Sequence, residues 1–426
     1  MGPIVVAMRK KISVSQLRMG MFLDELCGSW LDHPFWKSAF LLTDPKQLQQ
    51  IQDSRVKEVW IDIRKGLDVL EAASAPHHTE RFDDVEVEEA DRPQPDVPMP
   101  AEVVAKPQPK PCSVNEELER ASKVLAGAMP AMRSMFQDVR LGKAIDTEHC
   151  LPMVQDIADS VQRNPGAIVS LARLKTSDDY TYMHSVAVCA LMVALAKQLG
   201  LNEVDTREAG MAGLVHDLGK ALMPLDVLNK PGALTNEEFA IMKKHPEEGH
   251  RLLVEGRGVG PVPLDVCLHH HEKVNGTGYP HKLKGDEISQ FAKMGAVCDV
   301  YDAITSNRPY KAGWDPAESI QKMAQWTKDG HFDERIFQAF VKSIGIYPIG
   351  SLVKLKSGRL AIVMEPGTTS LVCPIVKVFF STKSNEPIPH AIVNLGDPKA
   401  NDQIIARENP ATWGFPNLET LWSKPA

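Results

Sequence analysis

The sequence predicts a multidomain, mainly α chain: a small α/β domain, then an all-helical domain, then a short β tail. Three observations carry this reading. From about Val114 to Ile344 apolar residues recur at helical spacing almost throughout. From about Ala72 to Pro111 the composition shifts to proline, glutamate, aspartate and alanine with almost no aromatic residues, so burial cannot offset ordering entropy there. Beyond Pro348 the apolar runs become β-like and are separated by glycine and proline turns. The expected boundaries are 1–71 for the small N-terminal domain, of regulatory type, 72–113 for a linker, 114–347 for the helical domain and 348–426 for the tail.

In chain order, Ile12–Leu17, Met21–Leu26 and Glu58–Ile63 are short apolar stretches. Thr43-Asp44-Pro45 opens a helix between them, with an N-cap residue ahead of a proline at the first helical position. The stretch Arg92-Pro93-Gln94-Pro95-Asp96-Val97-Pro98 typifies the next segment, which reads as an extended acidic spacer that only tethers. In the helical domain, Leu151, Val154, Ile157, Ala158 and Val161 form one stripe, and Val186, Cys189, Ala190, Val193 and Ala196 form another. Thr235 with Glu238 is a capping box, and Asp315-Pro316 marks a further helix start. Strands are predicted at Leu352–Leu355, Ala361–Met364 and Ile375–Phe380.

Bulk properties exclude several classes. The net charge of -7 argues against a binder of nucleic-acid polymers, which would normally carry a basic face. No uninterrupted apolar run approaches the roughly 18 residues of a membrane span, and Met1–Lys11 lacks the order of a signal peptide, so the expected location is the cytoplasm, away from membranes. The seven cysteines are scattered without a CxxC pair, which predicts reduced and mostly buried thiols.

Eight of the fourteen histidines fall between positions 184 and 281. His184, His216-Asp217, His245, His270-His271 and Asp299 are spread over five predicted helices, which suits a metal site built one or two ligands per helix. Adjacent side chains on a helix diverge by about 100°, so each neighbouring pair reaches two metals more easily than it chelates one. Taken singly, His184 reads as a hydrogen-bonded core histidine, His216-Asp217 as a helix-end pair and His269-His270-His271 as a solvated run. Asp299 resists that treatment, because an ionised carboxylate inside Gly295-Ala296-Val297-Cys298-Asp299-Val300 needs a cation or strong hydrogen bonds.

With Asn275-Gly276-Thr277-Gly278-Tyr279-Pro280 following His270-His271-Glu272, the sequence from about Asp179 to Lys311 resembles the HD-GYP branch of the HD superfamily. Ile12–Leu70 is similar to a small domain of unknown function often fused ahead of it in bacteria. The resemblance implies a phosphodiesterase that hydrolyses cyclic di-GMP to pGpG, and often onward to GMP, with iron or manganese. By position it implies that His184, His216, Asp217 and Asp299 hold one cation, that Asp217 bridges, and that His245, His270 and His271 hold the second. A hydroxide bridging the two divalent cations would then be the nucleophile. Lys220 would neutralise a phosphate oxygen, Arg308 and Lys311 would clamp the other phosphate, and Tyr279, exposed by a turn at Gly276 and Gly278, would meet phosphate or base. Asp302 would orient a ligand or Lys220, and Glu272 would fix a histidine tautomer. GGDEF-domain proteins are implied as partners of the glycine-flanked loop, and oligomerisation is left open.

Family members with three metals carry a glutamate where this chain has Tyr180, a poor ligand for a hard cation unless ionised, so two metals are expected and the pGpG step is in doubt. Two other readings remain: the same site acting on another cyclic dinucleotide or on pGpG alone, and a non-catalytic signalling adaptor.

Overall fold

The computed structural model describes residues 9–26, 40–43, 45–52, 57–69, 109–174, 180–307, 313–367, 370–415 and 417–423. The spacer reading of 72–113 therefore falls largely outside the described residues. The chain divides into two compact units, Met1–Pro107 and Gln108–Ala426.

In the first unit, β1 (Arg9–Ser13), β2 (Phe22–Leu26), β3 (Phe40–Leu41), α1 (Pro45–Gln52) and β4 (Glu58–Asp62) build an antiparallel sheet of order β1-β4-β2-β3 with one helix. Ile12, Leu23, Val59 and Ile61 project from the sheet into a common core with Ile51 of α1, as alternating strand residues do on a half-buried sheet.

The second unit is helical through α2 (Val114–Arg140), α3 (Leu151–Arg163), α4 (Pro165–Ala172), α5 (Tyr180–Gln198), α6 (Glu203–Val215), α7 (Leu225–Leu228), α8 (Asn236–Met242), α9 (His245–Val254), α10 (Pro261–His269), α11 (Gln290–Thr305), α12 (Pro316–Lys328) and α13 (Glu334–Ile344). Side chains of Ser113, Thr235, Ser289, Asp315 and Asp333 cap α2, α8, α11, α12 and α13, and Ser113-Glu116 and Thr235-Glu238 are full capping boxes. The chain just before α2 is already bonded to this unit, since the Cys112 amide donates to the Arg163 carbonyl at 3.0 Å.

The middle of the unit is α5, packed by α3, α4, α6, α11 and α13. Every residue from His184 to Ala196 is buried. The predicted stripe is therefore an underestimate: α5 is apolar on all sides because it is surrounded on all sides. By length and mean hydropathy it would also pass as a membrane span, although its uninterrupted apolar run extends only from Val186 to Ala196, and 72% of that window is buried inside the protein.

The chain ends in β5 (Leu352–Leu355), β6 (Arg359–Glu365), β7 (Ile375–Ser381), β8 (Glu386–Asn394), β9 (Ile404–Arg407) and α14 (Pro410–Trp413), with sheet order β8-β7-β6-β5-β9. Leu352, Leu360, Ile362 and Met364 join the helical core, while Val353, Leu355, Ala361 and Val363 form a separate core on the opposite face. Both faces are covered, which explains the uninterrupted apolar runs. Sequence reasoning missed β8 and β9. Both lie at sheet edges, where Pro387 and Pro389 of β8 are tolerated. Of the described cysteines, Cys150, Cys189, Cys267 and Cys298 are buried free thiols and Cys112 and Cys373 are partly covered free thiols.

Candidate metal centre

Five helices deliver the site. His184 lies in α5, and His216 and Asp217 follow directly on α6, where a 3-10 turn at Leu218–Leu222 takes over. His245 is the first residue of α9 rather than an interior one, His270 and His271 follow the end of α10, and Asp299 lies in α11. Helix ends suit the task, because chain direction changes there and neighbouring side chains aim into one space. Gly219 makes the approach of the 3-10 turn to α9 feasible: a Cβ at that position would lie 1.9 Å from the His245 carbonyl oxygen.

Donor atoms of His184, His216, Asp217 and Asp299 lie within 4.8 Å of one another, as do those of Asp217, His245, His270 and His271. Asp217 belongs to both groups, and its two oxygens divide between them. Oδ2 lies 3.3 Å from His184 Nε2 and 3.4 Å from His216 Nε2, whereas Oδ1 lies 3.2 Å from His245 Nε2 and 3.7 Å from His270 Nε2. Asp299 Oδ1 is 3.0 Å from His184 Nε2, and Asp299 Oδ2 is 3.8 Å from His271 Nδ1. His216, Asp217, His245 and His270 are at most 1% exposed.

Tautomers decide what this arrangement can hold. His216 Nδ1 donates to the Gly213 carbonyl at 2.9 Å, His245 Nδ1 to the Met242 carbonyl at 2.8 Å, and His270 Nδ1 to the Val266 carbonyl at 3.0 Å. Only an N–H can make those contacts, so in the neutral rings the Nε2 lone pairs face inward. The Nε2 atoms of His245 and His270 are 3.4 Å apart and both point at Asp217. Lone pairs facing each other and a carboxylate repel unless a cation lies among them. His216 Nε2 and Asp217 Oδ1 are also buried with no hydrogen-bond partner. Imidazole and carboxylate donors with these unsatisfied atoms fit a divalent transition metal.

The two groups differ electrostatically. Burial lowers the pKa of His184, but hydrogen bonds to Asp217, Asp299 and Asp302 outweigh it and raise the value to about 10. His216 is also raised, with burial opposed by the Asp217 charge. In the second group, burial and the neighbouring His216 push His270 down to about 3, and burial with His270 pushes His271 well below its ordinary value. Asp217 and Asp299 stay ionised despite burial, held by Lys220 and His216 in one case and by His184 and His216 in the other. The proton on His184 thus supplies positive charge that a metal would otherwise bring.

Around the ligands, Asp302 accepts from His184 Nδ1 at 2.6 Å, so it supports this histidine and not Lys220. Lys220 pairs with Asp217 Oδ2. Tyr279 is half-buried instead of exposed, its ring stacked on His271 with centroids 4.7 Å apart. Gly276 supplies a turn with positive φ, while Gly278 allows close approach, since a Cβ there would meet the Lys273 amide nitrogen at 2.4 Å. Glu272 corrects an expectation: its carboxylate accepts the His281 amide at 2.7 Å and the Leu283 amide at 3.1 Å, so it ties down the loop and does not set a histidine tautomer. The side chain after His271 has rotated away from the cluster toward the returning chain. Tyr180 stacks parallel to His184 at 6.0 Å. Arg308 and Lys311 lie outside the described residues. Sequence reasoning passed over Lys273, Trp326 and His331, which with His270 and His271 line a cavity of about 360 Å³. Trp326 sits in an amphipathic helix where it looks like a core residue, and no local motif announces it.

Two family models match the chain, a domain of unknown function (DUF3391) over residues 9–150 and an HD domain over residues 154–336. The first match runs past the N-terminal unit and through α2. Over 417 residues the chain is 51% identical to a Pseudomonas aeruginosa protein named cyclic di-GMP phosphodiesterase PA4108, covering 98% of this chain and 96% of the relative. The chain belongs to the HD-GYP family. Within the family it is 44% identical over 124 residues to the Xanthomonas campestris cyclic di-GMP phosphodiesterase response regulator RpfG, covering 28% of this chain and 32% of the relative. It is 33% identical over 181 residues to the Vibrio cholerae 3'3'-cGAMP-specific phosphodiesterase 1, covering 41% of this chain and 42% of the relative.

Proposed function

We propose that this HD-GYP protein is a cytoplasmic, metal-dependent phosphodiesterase that opens cyclic di-GMP to pGpG. The observation that carries the reading is the sharing of one buried carboxylate, Asp217, by two groups of ligand-type side chains. His184, His216, Asp217 and Asp299 would hold one cation, and Asp217, His245, His270 and His271 the second, iron or manganese being suited to these nitrogen and oxygen donors. A pair of divalent cations supplies Lewis acidity toward a phosphate and an activated water at neutral pH.

The chain's own groups prepare the rest. Asp302 holds the His184 Nδ1 proton, which fixes the ring with Nε2 inward. Lys220, part-buried beside Asp217, is a point charge within reach of a phosphate oxygen entering the cluster. Tyr279 closes one side of His271 and limits water there. Tyr180 stands where a third cation would need a carboxylate, which supports pGpG as the main product and a slow second step. Two relatives with different named substrates make 3'3'-cGAMP the comparison substrate.

The test is metal analysis of anaerobically purified protein combined with product chromatography. Two iron or manganese ions per chain and release of pGpG are expected, and Asp217→Asn should lose both ions and turnover while keeping its helical circular dichroism. A fully loaded protein that leaves every cyclic dinucleotide intact would sink the proposal and favour an adaptor of GGDEF-type partners.

A further inference from the structure

The cavity beside the metal centre has a composition the phosphodiester chemistry does not require. It measures about 360 Å³, in the range of small-ligand pockets, and shares His270 and His271 with the ligand cluster. Ala296 and Val300 of α11 give it an apolar wall, and Trp326, His331 and Phe332 give it an aromatic one. The rings of Trp326 and His331 lie 23° from parallel with centroids 6.4 Å apart. Lys273 adds a positive charge and makes no ion pair with a described residue.

The aromatic wall is braced against the chain that carries the ligands. The His331 amide donates to the Trp326 carbonyl at 2.9 Å, the Asn275 amide to the Gly330 carbonyl at 2.8 Å, and Asn275 Nδ2 to the Asp329 carbonyl at 2.9 Å. The end of α12 and the residues after His271 therefore hold a common position. His331 is lowered from its ordinary pKa by burial and by Lys273, so its ring is neutral at pH 7.

In a cyclic dinucleotide each phosphate is joined to a base through a single ribose, so a base must lie one sugar away from the scissile phosphate. A cavity lined by two of the ligand histidines, His270 and His271, and by near-parallel aromatic rings adjoins the cluster. We propose that it is a nucleobase subsite, in which Trp326 and His331 stack on one base of the substrate and Lys273 supplies positive charge in its wall. The inference rests on the phosphodiesterase reading above and adds to it the group that recognises the base. Stacking is tolerant of base identity, so this subsite sets affinity for a dinucleotide and does not by itself separate guanine from adenine.

The test compares the metal-loaded full chain with Trp326→Ala and Trp326→Phe on two substrates: cyclic di-GMP, and bis(p-nitrophenyl) phosphate, which has no nucleobase. Trp326→Ala should raise KM for cyclic di-GMP by roughly 5- to 150-fold, the loss of one base–aromatic stack, with kcat held within about two-fold. Trp326→Phe should recover most of the loss, and kcat/KM for bis(p-nitrophenyl) phosphate should stay unchanged. Metal content and thermal unfolding are measured on each variant. An unmoved KM in Trp326→Ala, in a protein whose wild type hydrolyses cyclic di-GMP, overturns the subsite alone. So does a parallel loss on both substrates, which would make Trp326 a support of the metal centre. A wild type active on bis(p-nitrophenyl) phosphate but on no cyclic dinucleotide overturns the substrate reading and the subsite together.

Discussion

Asp217 is fully buried and faces five positively charged or imidazole groups, so at the scale of single residues it is the group whose chemistry is least replaceable. Its supporter one step out is Asp302. Asp302→Asn should weaken metal affinity or activity by roughly 10- to 100-fold, the usual cost of losing a carboxylate behind a ligating histidine, read by competition with a metallochromic chelator. The raised pKa of His184 gives a second prediction. With a metal-free value of about 10, the ring carries two protons at pH 8, and a cation at Nε2 must displace one. Loading the metal-free chain at pH 8 should therefore release protons, seen as a dependence of calorimetric heat on buffer ionisation enthalpy, and affinity should fall as pH drops. Residue types were legible in the sequence at this scale. Side-chain direction was not: Glu272 is adjacent to His271 yet serves the loop backbone, because which neighbour a side chain meets is decided by the returning chain at Pro280–Leu283.

At the scale of elements, the helices are joined by polar ties as well as by core packing. Glu117 of α2 is 0% exposed and accepts from Arg163 Nε at 2.7 Å and Nη2 at 2.8 Å, and from Ser160 Oγ at 2.9 Å, both partners lying on α3. Glu117→Ala leaves Arg163 without its partner and should destabilise the fold by about 3–5 kcal/mol in urea unfolding. Burial raises the Glu117 pKa, but the Arg163 and Ser160 hydrogen bonds and the arginine charges bring it below the ordinary 4.5. A lowered carboxylate pKa stabilises fully above the ordinary value and loses its contribution as pH falls through the folded value. Acid unfolding below about pH 4.5 should thus be shallower in Glu117→Gln than in the wild type. Helix starts were readable because caps are local: Thr235 and Asp315 sit beside the amides they satisfy. The surroundings of α5 were not, since apolar residues on all sides of a helix say that it is covered without saying by what.

At the scale of the whole molecule, two compact units share one chain, and the composition of 72–113 predicts a spacer, whose last described residues are already bonded to the second unit. Removing about fifteen residues from within 80–100 should leave kcat/KM within about two-fold, as a solvated tether predicts, and a larger loss in steady-state kinetics would make the segment part of the regulation. The sequence by itself determined the helical class of the second unit, its strand-rich C-terminal end and the ordered set of imidazoles and carboxylates, because periodicity, caps and ligand types are written residue by residue. Tertiary structure alone decided that Asp217 turns one oxygen to each group, that Tyr279 lies on His271, and that Trp326 and His331 wall a cavity beside them. Those relations join positions as far apart as His184 and Asp299, or His271 and Trp326. They arise from how packed helices close on one another, and no local pattern encodes that closure.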